Sequence, residues 1–357
     1  MASTTRYTAS VVGGGMGGKL SLDALQASGR YDLLAAADLR ADVRRALAER
    51  YPGIRLYPDH GAMFADCPTD VVCVSTYPPS HRQVTLDALD LLPLKGILVE
   101  KPLGDTAAAG RDILRAIEAH GLPLAVPHGL LKTRHGEEIL ARVHGGEIGA
   151  LELVEIECGR WDIINAGIHW LNYVVNLLPD DPPAWVMALA EASTRTYRDG
   201  MQVETTAITY VQTRDGVRAV MHTGDEVLVR RPNKTTLFRL VGTRGVIEFW
   251  AWESAYRLMN PAYPEGHTFE VPRYPESAHQ RHLEALADQI DAGAPDYRIA
   301  ASSLTALELC EGAYLSSAQR CKVTLPLAEF IAPEEPEWSP GKPYGGVGGG
   351  RDGRKLT

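Results

Sequence analysis

Three glycines near the start of the chain have the spacing of a loop that holds a phosphate-bearing cofactor. Gly13, Gly15 and Gly18 satisfy the pattern G-x-G-x-x-G, directly after the strand-like run Tyr7–Val12 and at the start of a helix-like stretch. The first glycine permits a tight turn, the second lets the backbone approach a pyrophosphate, and the third lets the helix pack closely on the strand. We predict a dinucleotide site here, with Met16 in the loop. The alternative is a glycine-rich turn with a purely structural role.

A carboxylate stands where the adenosine ribose of such a cofactor would lie. Asp38 ends the second apolar run, Leu33–Ala37, 20 residues after Gly18. A carboxylate at this place accepts hydrogen bonds from the ribose hydroxyls and repels a 2′-phosphate, so NAD is favoured over NADP. Arg40 keeps NADP open as the less favoured cofactor, because its guanidinium can pair with that phosphate.

Two further residues have the chemistry to handle the proton of a substrate hydroxyl. Lys101 follows the buried-type strand Ile97–Val99, and only 8 of the 36 basic residues are lysines. A desolvated ammonium can hold a hydroxyl and stabilise a developing alkoxide. His169 lies in the helical stretch Ile163–Leu178, where an imidazole can take up or return a proton. The alternatives are an exposed lysine that caps a strand and a core histidine.

These residues require a scaffold of alternating strands and helices. Over about the first 127 residues, continuous apolar runs alternate with amphipathic stretches, as in a parallel sheet buried on both faces. The predicted strands are Tyr7–Val12, Leu33–Ala37, Val71–Ser75, Ile97–Val99 and Leu122–Val126, and the predicted helices are Gly17–Ser28, Asp42–Arg50, Ser80–Leu91 and Thr106–His120. We predict an α/β fold that begins with a doubly wound parallel sheet.

The pattern changes after residue 150. Glu alternates with apolar residues along Leu151–Glu157, as in a half-exposed antiparallel strand. Similar strands are predicted at Ala207–Thr213, Val217–Thr223, Thr235–Val241 and Val246–Trp250, and helices at Ala278–Ala292 and Ala301–Ala318. We expect three parts: a dinucleotide-binding domain at 1–127, an α+β domain with a mostly antiparallel sheet at 128–331, and a Pro- and Gly-rich segment at 332–357. The last part is either a disordered tail or a strap over a partner subunit.

The composition limits the classes of protein and partner. The chain has 357 residues, a formal net charge of −9 and 45% hydrophobic residues. These values are typical of globular domains and argue against nucleic acid or an anionic membrane surface as a partner. No apolar run reaches the roughly 18 residues that span a bilayer, and the start lacks the apolar stretch of a secretory signal. We therefore expect a soluble, cytoplasmic protein.

The cysteines and the closest histidine pair do not predict a metal site. Five scattered cysteines include no Cys-x-x-Cys pair, so we expect buried or idle thiols rather than a disulfide framework or a zinc ribbon. His279 and His282 do not stand in a His-Glu-x-x-His context. We interpret them as a pair on a helix surface and predict no metal.

Several short motifs, in their order and spacing, resemble the Gfo/Idh/MocA family of glucose–fructose oxidoreductase and inositol dehydrogenase. Besides the glycine loop and Asp38, these motifs are Ser75–Pro79 with His81, Glu100–Pro102, Gly145–Gly149 and Gly167–His169. The resemblance extends over about residues 6–330. It implies an N-terminal Rossmann domain followed by an α+β domain whose open sheet often forms the oligomer interface. A homodimer or homotetramer is therefore expected.

The resemblance also implies roles for individual residues. Lys101 would lie near the nicotinamide and a substrate hydroxyl, and His169 near the reacting carbon. The further candidates for cofactor contact are Thr76, Pro78, His81 and Glu100, and those for substrate contact are His128, Lys132, Asn165 and Asn172. Asp162 is a substrate candidate on its position alone, because it could supply a carboxylate from seven residues before His169.

The chain departs from the family pattern at four of these positions. Asn165 and Asn172 stand where many members have Asp, so His169 should be a weaker base. His128 and Lys132 stand near where the family often has Asn and Arg. The substrate is therefore expected to differ from the best-known ones of the family.

Together these observations predict an NAD(P)-dependent oxidoreductase. Hydride would pass between the cofactor and a secondary alcohol or ketone of a sugar, a sugar derivative or a cyclitol. One alternative is a redox-neutral lyase or glycosidase that oxidises a sugar carbon transiently with NAD. The other is a non-catalytic NAD-dependent regulator.

Overall fold

Six parallel strands form the first sheet of the computed structural model, which describes residues 5–191, 193, 196–229 and 234–333. The strands are β1 (Tyr7–Val12), β2 (Tyr31–Ala37), β3 (Arg55–Tyr57), β4 (Val71–Val74), β5 (Gly96–Val99) and β6 (Leu124–Ala125). The helices between them are α1 (Met16–Ala27), α2 (Ala41–Arg50), α3 (His60–Asp66), α4 (Pro78–Leu91) and α5 (Ala107–Ala119). The sheet order is β3-β2-β1-β4-β5-β6. This order reverses direction beside β1, where a crevice opens at the carboxyl ends of the strands.

The first sheet confirms the predicted parallel array, with two additions. Every predicted strand and helix of this half is present, with its ends shifted by up to two residues. Strand β3 and helix α3 were not predicted. Both are too short, at three and seven residues, to display a strand or helix period. The Asp59 carboxylate caps α3 by accepting from the Ala62 backbone N–H at 2.8 Å.

The second half of the chain contains a nine-stranded sheet and a separate hairpin. Its strands are β7 (Leu151–Gly159), β8 (Pro183–Glu191), β9 (Thr196–Arg198), β10 (Met201–Val203), β11 (Thr206–Thr213), β12 (Arg218–Gly224), β13 (Thr236–Gly242), β14 (Gly245–Trp250), β15 (Ala255–Asn260), β16 (Tyr263–Glu270) and β17 (Val323–Thr324). The sheet order is β16-β15-β14-β13-β7-β12-β11-β8-β17, and β9 pairs only with β10. All neighbours in the large sheet are antiparallel except β7 and β12. This mostly antiparallel sheet confirms the predicted fold class.

The helices of this half are α6 (Arg134–His144), α7 (Ile168–Leu177), α8 (Ala278–Ala292) and α9 (Arg298–Gln319). Short 3-10 turns lie at Gly129–Lys132 and Leu327–Glu329, and a five-residue π-turn at Ile163–Gly167 precedes α7. The single helix predicted over Ile163–Leu178 is therefore wrong in its first turn. Helix α6 and the strands β8 to β10, β15, β16 and β17 were also not predicted. The predicted segment 332–357 lies outside the described residues, apart from residues 332 and 333.

One face of the large sheet packs on helices and the other is open. The core includes Trp170 and Leu171 from α7 and Leu309 from α9. On the open face, the side chains of Met187 and Leu189 are 53% and 73% exposed. An exposed apolar face of this kind is typical of an interface. The predicted homodimer or homotetramer stays a prediction.

Helix α8 packs on the first sheet, although it follows the second in the chain. Leu283 and Leu286 belong to the same core cluster as Val11 of β1, and the Tyr31 hydroxyl donates to the Leu283 carbonyl at 2.5 Å. The predicted boundaries assign α8 to the second domain, and this division stays a prediction. Within the described part of the chain, no helix has the length and apolar character needed to cross a bilayer.

Candidate active site

The glycine loop between β1 and α1 leaves room for a phosphate group. Gly13 has a φ of +101°, and a Cβ on it would lie 2.3 Å from the Ser75 carbonyl oxygen. A Cβ on Gly18 would lie 1.8 Å from the Gly13 oxygen, whereas one on Gly15 would meet no atom within 4 Å. Gly15 also caps α1 without a side-chain hydrogen bond, so the first N–H groups of the helix are open to an anion.

Asp38 is held at the edge of this loop by two backbone donors. The Gly14 N–H donates to its Oδ2 atom at 2.8 Å, and the Arg40 N–H donates to Oδ1 at 2.8 Å. The Arg40 guanidinium lies 3.6 Å from the same carboxylate and is half exposed. The carboxylate is therefore oriented and keeps further lone pairs for two hydroxyl donors. Sequence reasoning did not single out Gly14 as the residue that fixes Asp38.

The other cofactor candidates follow β4 and β5, next to the glycine loop. Thr76 is partly exposed, and Pro78 begins α4 as a buried residue. The His81 ring lies between the Thr76 and Pro102 carbonyl oxygens, at 2.9 and 3.0 Å, and is 1% exposed. Burial lowers its pKa. Because both ring nitrogens contact the backbone, His81 supports the wall of the crevice from behind.

Glu100 lies in a buried polar network beneath the glycine loop. Its Oε2 atom accepts from the Lys101 N–H at 3.1 Å, and its Oε1 atom has no hydrogen-bond partner. The His279 Nε2 atom lies 3.4 Å from Oε1 and 3.0 Å from the Ser21 hydroxyl. His279 thus belongs to the support of the site, a role that sequence reasoning missed.

The prediction that His279 and His282 form a pair on a helix surface is wrong. Their exposures are 8% and 3%, because α8 turns back onto the first sheet. The His282 Nε2 atom contacts the His128 carbonyl at 3.1 Å. Helical spacing shows which residues share a face, but it does not show what covers that face.

Lys101 projects from the end of β5 to the start of the second half. Its ammonium donates to the Asn165 carbonyl at 2.8 Å. Burial lowers the pKa of Lys101, and the negative charges of Glu100, Asp199 and Asp162 oppose this shift. The ammonium is thus partly desolvated and gives up a proton more readily than a lysine in water.

His169 lies at the start of α7, close enough to Lys101 for their charges to interact. Burial lowers the pKa of His169 well below its ordinary value, and the Lys101 charge adds to this effect. The imidazole is therefore neutral at neutral pH and able to accept a proton. Its Nδ1 atom is buried without a hydrogen-bond partner, and its ring packs edge to face on His128 at 5.3 Å between centroids. Trp252 lies 6.4 Å away.

The five substrate candidates have different surroundings. His128 is 1% exposed and contacts the Ser303 hydroxyl at 2.8 Å, so it lies behind His169. Asn172 is fully buried and donates to the Ser302 hydroxyl of α9 at 3.0 Å. The charges that act on Lys132 come from Glu137, Arg281, Asp296 and Arg298. The contacts described for Lys132 and Asn172 are therefore with residues of α6, α8 and α9 and of the turn before α9.

Asp162 and Asn165 lie directly beneath Lys101. The Asp162 Oδ1 atom accepts from both the backbone N–H and the side-chain amide of Asn165, each at 2.8 Å. Its Oδ2 atom accepts from Arg198 at 2.6 Å. Sequence reasoning missed Arg198. An acidic residue three positions before the donor is a helix-cap signature and would have indicated the role of Asp162.

Taken together, these features place a glycine loop, an oriented carboxylate and a lysine at the carboxyl edge of a parallel sheet, with a histidine at the start of α7. The chain matches the oxidoreductase family with an NAD-binding Rossmann fold over residues 8–128. It matches the C-terminal alpha/beta domain of the same family over residues 155–325. The chain therefore belongs to the Gfo/Idh/MocA oxidoreductase family, as its motifs predicted.

Curated relatives match over part of their length. Inositol 2-dehydrogenase of Rubrobacter xylanophilus is 32% identical over 179 residues, which cover 46% of this chain and 50% of that protein. D-Apiose dehydrogenase of Paraburkholderia graminis is 29% identical over 130 residues, 35% of this chain and 34% of that protein. The chain thus spans half or less of the length of these relatives.

Solved structures share the fold over nearly the whole described chain. An inositol dehydrogenase homolog from Azotobacter vinelandii, complexed with NADH and myo-inositol, has a TM-score of 0.76 at 17% identity. An oxidoreductase from Agrobacterium radiobacter in complex with NAD+, L-tartaric acid and magnesium has a TM-score of 0.76 at 18% identity. Each comparison covers 90% of this chain and 98% of the other. Among the described residues, no group of three or more His, Cys, Asp or Glu could hold a metal ion.

Proposed function

We propose that this protein is an NAD-dependent dehydrogenase that acts on a secondary alcohol of a cyclitol or sugar. The observation that carries this proposal is the position of the Lys101 ammonium at the end of β5, where it donates to the Asn165 carbonyl at 2.8 Å, four residues before His169 at the start of α7. The names of the inositol and D-apiose dehydrogenase relatives support a polyhydroxylated substrate.

The crevice fits a dinucleotide. The open space over Gly15 suits a pyrophosphate, and Asp38 is oriented for the hydroxyls of a ribose. Gly13, Gly15, the first turn of α1 and Asp38 would hold the cofactor. When bound, its nicotinamide supplies the hydride acceptor or donor.

The proposed reaction assigns separate tasks to the two catalytic residues. Lys101 holds the substrate oxygen and stabilises negative charge that develops on it during oxidation. His169 accepts the hydroxyl proton at Nε2, because its Nδ1 atom is buried and out of reach of a substrate. In reduction, the same groups return the proton to the oxygen.

The function is tested by mixing the purified protein with NAD and a panel of cyclitols and aldoses while NADH absorbance is recorded. We expect NADH to form with at least one secondary alcohol and the corresponding ketone to accumulate in equal amount. Product formation without net NADH would instead favour the redox-neutral alternative. NAD binding without any turnover across the panel would favour the regulator.

We further propose that NAD is preferred to NADP, and Asp38 provides the test. Replacing Asp38 with Ala removes an acceptor for two ribose hydroxyls and a negative charge that repels a 2′-phosphate. We expect NAD affinity to fall about 10-fold to 100-fold and the preference over NADP to disappear. Fluorescence titration of the wild type and the variant with NAD and with NADP measures the four affinities.

The matched control is Asp42→Ala, which removes an exposed carboxylate from the first turn of α2. It should leave both affinities close to those of the wild type. Tighter binding of NADP than NAD by the wild-type protein would contradict the proposed preference.

A further inference from the structure

We propose that the β9–β10 hairpin positions Lys101, with Arg198 acting through Asp162 and the Asn165 carbonyl. This inference rests on the proposed function, in which Lys101 holds the substrate oxygen. It assigns Arg198 and Asp162 as positioning residues that do not themselves touch the substrate.

The first link joins Lys101 to the π-turn. The Lys101 ammonium donates to the backbone carbonyl of Asn165 at 2.8 Å. Within the turn, the Gly167 N–H bonds back to the Asp162 carbonyl at 3.0 Å, a wider spacing than in an α-helix. The position of the Lys101 ammonium therefore depends on the position of the Asn165 peptide group.

The second link joins that peptide group to Asp162. A single carboxylate oxygen, Oδ1, receives both the Asn165 N–H and its side-chain amide at 2.8 Å. Two donors from one residue fix both the backbone and the side chain of Asn165. The Asn165 amide is thereby directed toward Asp162.

The third link balances the charge of Asp162. This carboxylate is only 2% exposed, and a buried carboxylate without a cation is strongly unfavourable. The Arg198 guanidinium donates to Oδ2 at 2.6 Å and lies 4.6 Å from the centre of the Trp161 ring. Arg198 thus compensates the charge that orients Asn165.

The hairpin also contacts the cofactor side of the crevice. Its turn is Asp199-Gly200, with φ angles of 49° and 79°, as in a two-residue type I′ turn. A Cβ on Gly200 would lie 3.6 Å from the Tyr77 Cβ atom, in ordinary contact with the loop that follows β4. The hairpin therefore spans the distance from the π-turn beneath Lys101 to that loop.

The chain of contacts predicts opposite effects for its two charged members. The charged and titratable groups that act on Lys101 are Glu100, Asp162, Asp199, Cys310, His128 and His169. Without Arg198, the negative charge of Asp162 acts on the ammonium uncompensated, so Lys101 should hold its proton to higher pH. With Asp162→Asn, that negative charge is lost and Arg198 is left unpaired, so Lys101 should lose its proton at lower pH.

The experiment measures the protonation of Lys101 directly. The full-length protein is treated with a limiting amount of an amine-reactive reagent across a range of pH, and modification of Lys101 is quantified by peptide mass spectrometry. We expect Arg198→Met to raise the pH midpoint by about half a pH unit or more, and Asp162→Asn to lower it. Arg198→Lys keeps the positive charge, so its pH midpoint should lie close to that of the wild type. The control Arg239→Met removes an exposed arginine that pairs with Glu155 on the large sheet, and it should leave the midpoint unchanged.

Activity is the second readout. In Arg198→Met, we expect kcat to fall about 10-fold with little change in the KM for NAD, because the effect acts through Lys101. An unchanged Lys101 midpoint in a folded Arg198→Met protein would overturn the inference, and so would shifts of the same sign in Arg198→Met and Asp162→Asn. If Asp162→Asn does not fold, the Arg198 variants decide alone. Since the midpoint needs no substrate, a failure of the proposed dehydrogenase activity is distinguishable from a failure of this inference.

Discussion

Replacing Lys101 with Met should lower kcat/KM by about 1,000-fold while NAD still binds. Met has a similar length but cannot donate a hydrogen bond or carry a charge. The variant therefore loses the group that holds the substrate oxygen and stabilises its developing negative charge. The glycine loop and Asp38 do not depend on the Lys101 ammonium, whose hydrogen bond goes to Asn165. Steady-state kinetics with the best substrate of the panel and a nucleotide titration measure the two effects separately.

Two further variants make this prediction specific. Lys101→Arg keeps the charge but replaces a compact ammonium with a larger planar group, and it should recover only part of the lost activity. Lys95→Met removes a lysine that pairs with Asp70 at the protein surface. The kcat/KM of this variant should equal that of the wild type. If Lys101→Met kept more than about a tenth of the wild-type kcat/KM, Lys101 would not be a catalytic residue.

Gly18→Ala should abolish tight binding of NAD and also destabilise the protein. A Cβ at this position would lie 1.8 Å from the Gly13 carbonyl oxygen, which belongs to the backbone and cannot rotate away. The loop must therefore move, and the space for a pyrophosphate moves with it. We expect NAD affinity to fall at least 100-fold and the free energy of unfolding to fall by about 1–3 kcal/mol. Nucleotide titration and chemical denaturation measure these quantities.

Gly15→Ala and Gly29→Ala are the matched controls. A Cβ on either residue meets no atom within 4 Å, so both variants should be as stable as the wild type. The methyl group of Gly15→Ala, however, would occupy space assigned to the cofactor, so this variant should lose NAD affinity without losing stability. Gly29→Ala, at the end of α1 remote from the loop, should change neither the NAD affinity nor the free energy of unfolding. Wild-type affinity in Gly15→Ala would contradict the proposed position of the pyrophosphate.

Local spacing in the sequence was sufficient to predict five strands of the parallel sheet and the residues that follow them at its carboxyl edge. The glycine loop, Asp38 and Lys101 each follow an apolar run, and the carboxyl ends of parallel strands meet at one edge of a sheet. In such cases a residue's position depends mainly on its neighbours in the chain. The same reasoning failed for β3 and α3, because elements of three and seven residues are too short to show a period.

Which buried polar groups meet depends on how distant segments of the chain pack together. Arg198 pairs with Asp162 from 36 residues away, and His279 contacts Ser21 from 258 residues away. Neither pair has the spacing of a helix or strand period. The sequence also does not show whether a given carboxylate is buried or exposed. The family, the class of each large sheet and the residues that end the parallel strands could thus be predicted from local sequence patterns. The support beneath Lys101 and Glu100 depends on how distant segments pack, because long-range hydrogen bonds leave no periodic signal in the chain.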